Sequence, residues 1–377
     1  MAFSGSEAVA HSPGKLIVSG EHSVLYGAPA LAMAVARYTE VWFKPVGLGE
    51  GLRTAFANLS DGVTYPLAFL QSFKSKLDRR FDQFARGELQ VHKVLSHPDD
   101  LAVFTLATLL HEKPTEVETI PGFGAMGQLP APGELGSRSD LPIGAGMGSS
   151  AAVVAATTIL FETLLQKPKT PEERYTRVRF CERLKHGKAG PIDASSVVYG
   201  GLLRVPGPGQ MAEPLTLDDD HSLFAGAGWY WVLHGSPFSV TGECVSAVAE
   251  AHGQDRPLWD AFADCTKAIE HALTTDADPR AVIKENQRLL ERIGVVPDET
   301  QRLIAEVEAL EGAAKICGAG AVRGDQGGAV LVYLPDAEAM SQLMARRANL
   351  NWGALQVAPA GAAPGPAPRQ PRIGDGA

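Results

Sequence analysis

Several features are scarce in this 377-residue chain, and each absence narrows what it can be. It has four cysteines, Cys181, Cys244, Cys265 and Cys317, scattered without a CxxC pair. Their mainly apolar surroundings predict buried free thiols. No apolar stretch approaches the roughly 20 residues that a membrane span needs. The N-terminal run MAFSGSEAVAHSPGK lacks a basic segment followed by an apolar core, so no signal peptide is expected. A reducing, cytoplasmic setting fits these features. The net charge is −9 and no Lys/Arg cluster interrupts it. A nucleic-acid binder needs concentrated cations to release counterions, so neither nucleic acid nor membrane is expected as a partner. An anionic substrate would need a local positive site, not a global field.

What is present is ordinary for a soluble globular protein, with 45% hydrophobic and 20% charged residues. The length is too great for one small core and suits two lobes. Strands are expected at Leu16–Val18, Arg37–Val46, Gly200–Val205, Trp229–Leu233, 314–317, Ala329–Leu334 and Leu355–Val357. Apolar spacing predicts helices over Leu67–Phe84, Asp99–Leu110 and Ser149–Leu165. Thr170-Pro171-Glu172-Glu173 adds a helix start with a capping box and proline at the first helical position. Further helices are expected near 242–252, 258–274, 279–293, 298–312 and 336–348. Residues 113–142 read as strands around a Pro/Gly-rich loop, and Pro206–His221 as a polar separator. The division expected is 1–225, 226–357 and a disordered Pro/Gly/Ala tail over 358–377.

The most informative stretch is Leu141-Pro142-Ile143-Gly144-Ala145-Gly146-Met147-Gly148-Ser149-Ser150-Ala151-Ala152. Glycines let backbone N–H groups converge and let an anion approach closely. The helix that follows adds the positive end of its dipole. Ser149 or Ser150 is placed to reach a phosphate or its Mg²⁺. No Lys-Ser/Thr pair closes the loop, so it is not a Walker A motif. Its glycine spacing is not the dinucleotide fingerprint either.

Three other stretches carry chemistry-bearing groups. Lys15 precedes an apolar strand, and Glu21 and His22 follow it in a turn between Gly20 and Gly27. These can line one cleft, or be a surface lysine and a capping glutamate. Glu182 and Asp193 flank a glycine turn. One carboxylate could hold Mg²⁺ while the other accepts a proton from an attacking hydroxyl. A surface glutamate and an Asp193 capping a helix at Ala194 fit the same residues. A third glycine loop, Lys315-Ile316-Cys317-Gly318-Ala319-Gly320, links two strands and could close over a substrate.

These three blocks, in this order, resemble the GHMP kinase family over nearly all of residues 8–357. Pro13-Gly14-Lys15…Gly20-Glu21-His22 resembles its first motif and Pro142…Gly146-Met147-Gly148-Ser149-Ser150-Ala151 its second. Lys315…Gly318-Ala319-Gly320 resembles the third. Within the family, Gly20–Ala32 and Glu182-Arg183-Leu184-x-His186-Gly187…Ile192-Asp193 look most like the mevalonate kinase branch. The resemblance implies an α+β fold of two lobes, an N-terminal nucleotide-binding lobe and a ferredoxin-like C-terminal lobe, with the active site between them. It implies ATP and Mg²⁺, and transfer of the γ-phosphoryl group to a small-molecule alcohol, with mevalonate the first expectation. A different or phosphorylated acceptor is the alternative, and a non-catalytic ligand-binding regulator a second.

The family roles carry over residue by residue. Gly144, Gly146, Gly148, Ser149 and Ser150 would hold the nucleotide phosphates. Ser150 and Glu182 would hold Mg²⁺. Asp193 would take the alcohol proton, and Lys15 would stabilise the developing charge. Glu21, His22, Lys185, Thr241, Gly318 and Ala319 would lie on the substrate side. The family's habit of dimerising makes a homodimer an expectation, which no exposed apolar face argues independently. The chain departs from the mevalonate kinase pattern mainly on the acceptor side. Lys188-Ala189-Gly190-Pro191 and Ala194 replace family residues around Asp193, and Lys185 stands where an apolar residue is usual. No basic residue precedes Thr241 in Gly235–Ser239, and Arg323-Gly324-Asp325-Gln326 interrupts the third glycine run.

Overall fold

The computed structural model describes residues 7–46, 51–57, 59–111, 132–142, 144–215, 228–275 and 277–368. Most of the Pro/Gly-rich loop expected within 113–142, and the end of the polar separator, lie outside the described residues. In chain order the first part contains β1 (Ala8–Ser19), β2 (Ala30–Pro45), β3 (Gly51–Phe56), β4 (Thr64–Pro66), α1 (Leu67–Ala85) and α2 (Asp100–Leu110). It continues through β5 (Gly133–Ser139), α3 (Ser149–Leu164), α4 (Pro171–His186), α5 (Pro191–Tyr199), β6 (Leu202–Val205) and β7 (Glu213–Pro214). The second part contains β8 (Trp229–His234), α6 (Thr241–His252), α7 (Arg256–Thr275), α8 (Arg280–Arg292) and α9 (Asp298–Ala309). It ends with β9 (Ala313–Ile316), β10 (Gly328–Tyr333), α10 (Ala337–Arg346), β11 (Asn351–Ala354) and β12 (Ala363–Pro364).

The long antiparallel β1–β2 pair organises the first sheet, whose order is β12-β1-β2-β5-β3-β4, with β6 and β7 branching from β2. β3 and β5 pair in parallel. The second sheet runs β11-β8-β10-β9, antiparallel throughout. Its βαββαβ succession is the expected ferredoxin-like arrangement.

Helix α3 explains why the glycine loop is rigidly placed. Its run from Ala151 to Glu162 is buried except for Val153, which is half-buried, and it lies among β1, β2, α2, α4 and α5. A helix apolar on nearly all sides must be enclosed. Helix α4 has the expected capping box. Thr170 Oγ1 accepts from Glu173 N at 3.2 Å, and Glu173 Oε2 accepts from Thr170 N at 2.8 Å. All four cysteines are buried free thiols. Burial pushes Cys181, Cys265 and Cys317 up to about 11.

Two expectations need correction. The last strand of the second sheet is β11, not Leu355–Val357. Gly353 lets β11 lie against the Trp231 ring, where a Cβ would come within 3.1 Å. The following residues leave that sheet for β2, where Ala36 N donates to Gln356 O at 2.8 Å and Val35 bridges Val357. The expected disordered tail is ordered as far as residue 368. Ala362 N donates to Val197 O at 2.8 Å, Gly365 N donates to Val9 O at 2.8 Å, and β12 pairs with Ala10 and His11. Small residues make this close path possible, since a Cβ on Gly361 would meet Val198 O at 2.1 Å. Composition registers the lack of apolar side chains here but not the backbone pairing that replaces them. Residues 369–377 lie outside the described residues.

Candidate active site

The site is built where β1 meets the glycine loop. Lys15 N donates to Met147 O at 2.9 Å, which fixes the strand against the loop. Gly14 permits this approach, because a Cβ there would stand 2.3 Å from Leu141 and 2.9 Å from Met147 O. Gly144, Gly146 and Gly148 all have positive φ, of 78°, 79° and 74°. Only glycine takes that conformation at little cost. Gly148 is the N-cap of α3, and no side chain caps the first turn. The leading N–H groups of a helix without such a cap are open to an anionic ligand.

Two pairs of side chains converge at this helix start. Lys15 Nζ lies 3.3 Å from Asp193 Oδ1, with the lysine almost enclosed and the aspartate 41% exposed. A Cβ on Gly148 would sit 2.8 Å from Lys15 Cγ and 3.6 Å from Asp193 Oδ1, so both side chains border the loop. Asp193 lies in the first turn of α5, whose N-cap is Gly190, and does not itself cap the helix. Burial works against its charge. The Lys15 ammonium and, less strongly, His186 outweigh that and hold the carboxyl below its ordinary value. Nearby, Ser150 Oγ donates to Glu182 Oε2 at 2.9 Å, and His186 Nε2 stands 3.3 Å from the same oxygen. Glu182 is buried, and its Oε1 has no hydrogen-bond partner. An orphaned carboxylate oxygen beside a hydroxyl at a helix start suits a divalent cation with oxygen ligands. No group of three or more His, Cys, Asp or Glu side chains that could hold a metal ion occurs among the described residues.

The turn after β1 is used differently from expectation. Glu21 and Lys315 form an ion pair whose side chains are both wholly buried. Lys315 Nζ also donates to Ile316 O at 2.7 Å. Thus one Glu21 carboxylate oxygen is taken by Lys315, while Oε2 is buried without a hydrogen-bond partner. His22 Nε2 donates to Ala319 O at 3.1 Å. Burial lowers its pKa despite opposing contributions from that carbonyl and from Glu21, so the ring is neutral at pH 7. His22 Nδ1 is left buried without a partner. The third glycine loop also reaches the Gly144–Gly148 loop: a Cβ on Gly146 would lie 3.6 Å from Cys317 O. Gly318 has φ +88° and open space around its Cα.

The structure therefore gathers Lys15, Gly148, Ser150, Glu182 and Asp193, with Gly318 and Ala319 tied in through Gly146 and His22. Ser149 is half-buried at the start of α3. Lys185 is exposed on α4 and Thr241 is exposed at the start of α6. Three residues were not singled out from sequence. His186 was visible in its motif, four positions from Glu182. Lys315 was visible as the first residue of its motif. Ser239, two positions before Thr241, is the buried hydroxyl that accepts from Val322 N and Arg323 N.

Residues 122–201 match the family model described as GHMP kinases N terminal domain. A mevalonate kinase from Archaeoglobus fulgidus is 27% identical over 83% of this chain and 89% of its own length. One from Methanothermobacter thermautotrophicus is 23% identical over 92% and 96%. Among solved structures, the Methanococcus jannaschii mevalonate kinase superposes with TM-score 0.73 at 18% identity, covering 94% of this chain and 99% of that one. Lactococcus lactis galactokinase complexed with galactose gives 0.65 at 14% identity, covering 95% of each chain. Residues 122–201 thus carry a match to the GHMP kinases N terminal domain, and over almost the whole chain the sequence is similar to mevalonate kinases and the fold to that of solved GHMP kinases.

Proposed function

We propose that this protein is an ATP-dependent kinase that transfers the γ-phosphoryl group to the primary hydroxyl of mevalonate. The observation that carries the reading is the Lys15–Asp193 pair bordering Gly148 at the start of α3. An anion seated on the N–H groups of that helix start would lie beside both side chains. The names of the curated relatives support mevalonate as the acceptor.

Phosphoryl transfer passes through a loose transition state, so positioning and charge stabilisation do most of the work. The positive-φ glycines and the α3 N-terminus hold the phosphates. Ser150 Oγ and Glu182 Oε1 would hold Mg²⁺, which when bound neutralises phosphate charge. Asp193, ionised at neutral pH, orients the acceptor hydroxyl and receives its proton. An aspartate with a depressed pKa is a weak base for an alcohol, so that proton moves late in the transfer. Lys15 stabilises the charge that develops on the acceptor oxygen and the transferred group. His22, neutral and fixed by Ala319, offers an unpaired Nδ1 as an acceptor.

A second reading keeps the kinase and changes the acceptor. Lys185 and Lys188, exposed in the stretch of chain between Glu182 and Asp193, have no ion pair among the described residues, which would suit an additional anionic group. The test is ADP release from Mg-ATP with mevalonate, and with phosphorylated and neutral alcohols, in the wild type and in Asp193→Asn. Turnover with mevalonate that falls by about 10²–10⁴ in the variant supports the proposal. Turnover only with another alcohol transfers the reading to that acceptor. ATP binding without turnover on any acceptor would refute catalysis.

A further inference from the structure

The third glycine loop and the segment entering α6 are joined by four attachments. Ser236 N donates to Gln326 Oε1 at 3.0 Å. Ser239 Oγ accepts from Val322 N at 3.2 Å and Arg323 N at 3.0 Å. Arg323 donates through Nε and Nη2 to the two carboxylate oxygens of Glu243, at 2.6 and 2.8 Å. Its guanidinium also stands 5.1 Å from the centre of the Phe238 ring. Arg323 and Gln326 belong to the residues that interrupt the third glycine run.

The joined segments stand against the start of the phosphate loop. Ala329 N donates to Ala145 O at 3.2 Å. A Cβ on Gly328 would lie 3.1 Å from Pro237, and one on Gly144 would lie 3.9 Å from Ser236 Oγ. Phe238 and Val240, 70% and 69% exposed, form an apolar rim directly before Thr241.

The attachments differ in kind. The Ser239 hydroxyl is buried, so its two bonds anchor the segment to the loop. The Arg323–Glu243 pair is 57% and 33% exposed, and such pairs add little to global stability. A two-pronged guanidinium–carboxylate contact nevertheless fixes orientation, and stacking on Phe238 adds a third point. Its contribution is therefore to the angle at which an already anchored segment is presented.

We propose that Arg323 is a positioning residue for acceptor binding. Braced by Glu243 and Phe238, it sets the segment 235–243, and with it Thr241, over the glycine loop. The proposal rests on the kinase reading above. Loss of the brace leaves Ser239 and Gln326 in place, so the segment stays attached but samples more orientations. The cost falls on substrate binding and not on proton transfer at Asp193, so KM moves and kcat does not.

The test compares Arg323→Ala, Glu243→Ala and the reversed pair Arg323→Glu/Glu243→Arg. Steady-state kinetics with the accepted alcohol is one measurement. The rate of chymotryptic cleavage after Phe238 in the ligand-free protein, located by mass spectrometry, is the other. Each single variant is expected to raise acceptor KM roughly two- to five-fold, the scale of an exposed ion pair. kcat should stay within about two-fold and the melting temperature within about 2 °C. Cleavage should quicken several-fold, and the reversed pair should recover most of both effects. Single variants with wild-type KM and cleavage would overturn the proposal. So would a reversed pair no better than either single. If the wild type phosphorylates no alcohol, the kinase reading fails, and unchanged cleavage in the single variants would separately show that Arg323 braces nothing.

Discussion

Lys15 within β1 and Asp193 in the first turn of α5 meet at 3.3 Å beside Gly148, where a Cβ would crowd the lysine side chain at 2.8 Å. The pair defines the reacting point of the proposed kinase, and it fixes how that point responds to pH and to substitution.

The Asp193 carboxyl is held below its ordinary value of 3.8 by Lys15 and His186 acting against burial. A depressed folded-state pKa contributes stability above the unfolded pKa, and that contribution is lost as pH falls through the folded value. The wild-type kcat/KM should therefore show no acid limb from Asp193 above about pH 5. In Lys15→Met the main opposing charge is gone and burial remains, so the limb should move to higher pH. A pH–rate profile in which both proteins share one acid limb would contradict this account.

Gly148→Ala places a methyl group at φ +74°, 2.8 Å from Lys15 Cγ. The backbone cost is roughly 1–2 kcal/mol. Lys15 must also turn away from Asp193, so kcat should fall by more than any change in folded fraction explains. Urea unfolding alongside single-turnover kinetics separates the two effects.

The Glu21–Lys315 pair is fully buried, and removing one partner strands the other charge. Lys315→Met alone should cost about 3–5 kcal/mol. Glu21→Gln combined with Lys315→Met should recover most of that loss in urea unfolding. If the double variant also keeps a near-wild-type acceptor KM, Glu21 is a structural partner of the third loop. A large KM increase in a stable double variant would return it to the acceptor side.

Much of this was legible because it is local. The glycines at 144, 146 and 148, the serines that follow, and the Thr170–Glu173 capping box declare themselves within a few positions. Helix α3 is evident from its unbroken small and apolar run. Glu182 and Asp193 were visible as a pair, but a glycine turn allows convergence without requiring it. The Glu21–Lys315 contact was not legible, because its partners are 294 positions apart and Lys315 sits in an otherwise apolar strand. Ser239 was passed over for Thr241 because both are hydroxyls at a helix start, and only the fold shows which one meets the third loop.

The return of residues 356–368 to the first sheet has a consequence for synthesis. His11 and Gly365, joined at 3.0 Å, are separated by 354 positions. At ribosomal speeds, β1 waits roughly 20–70 s for β12. Over that interval the Val9–His11 stretch of its outer edge lacks its partner and is open to pairing with other chains. The end of α5, the helix that carries Asp193, also lacks the bond that Ala362 later gives to Val197. The nascent chain thus exposes an adhesive margin until the same late-arriving residues that close the end of α5 settle it.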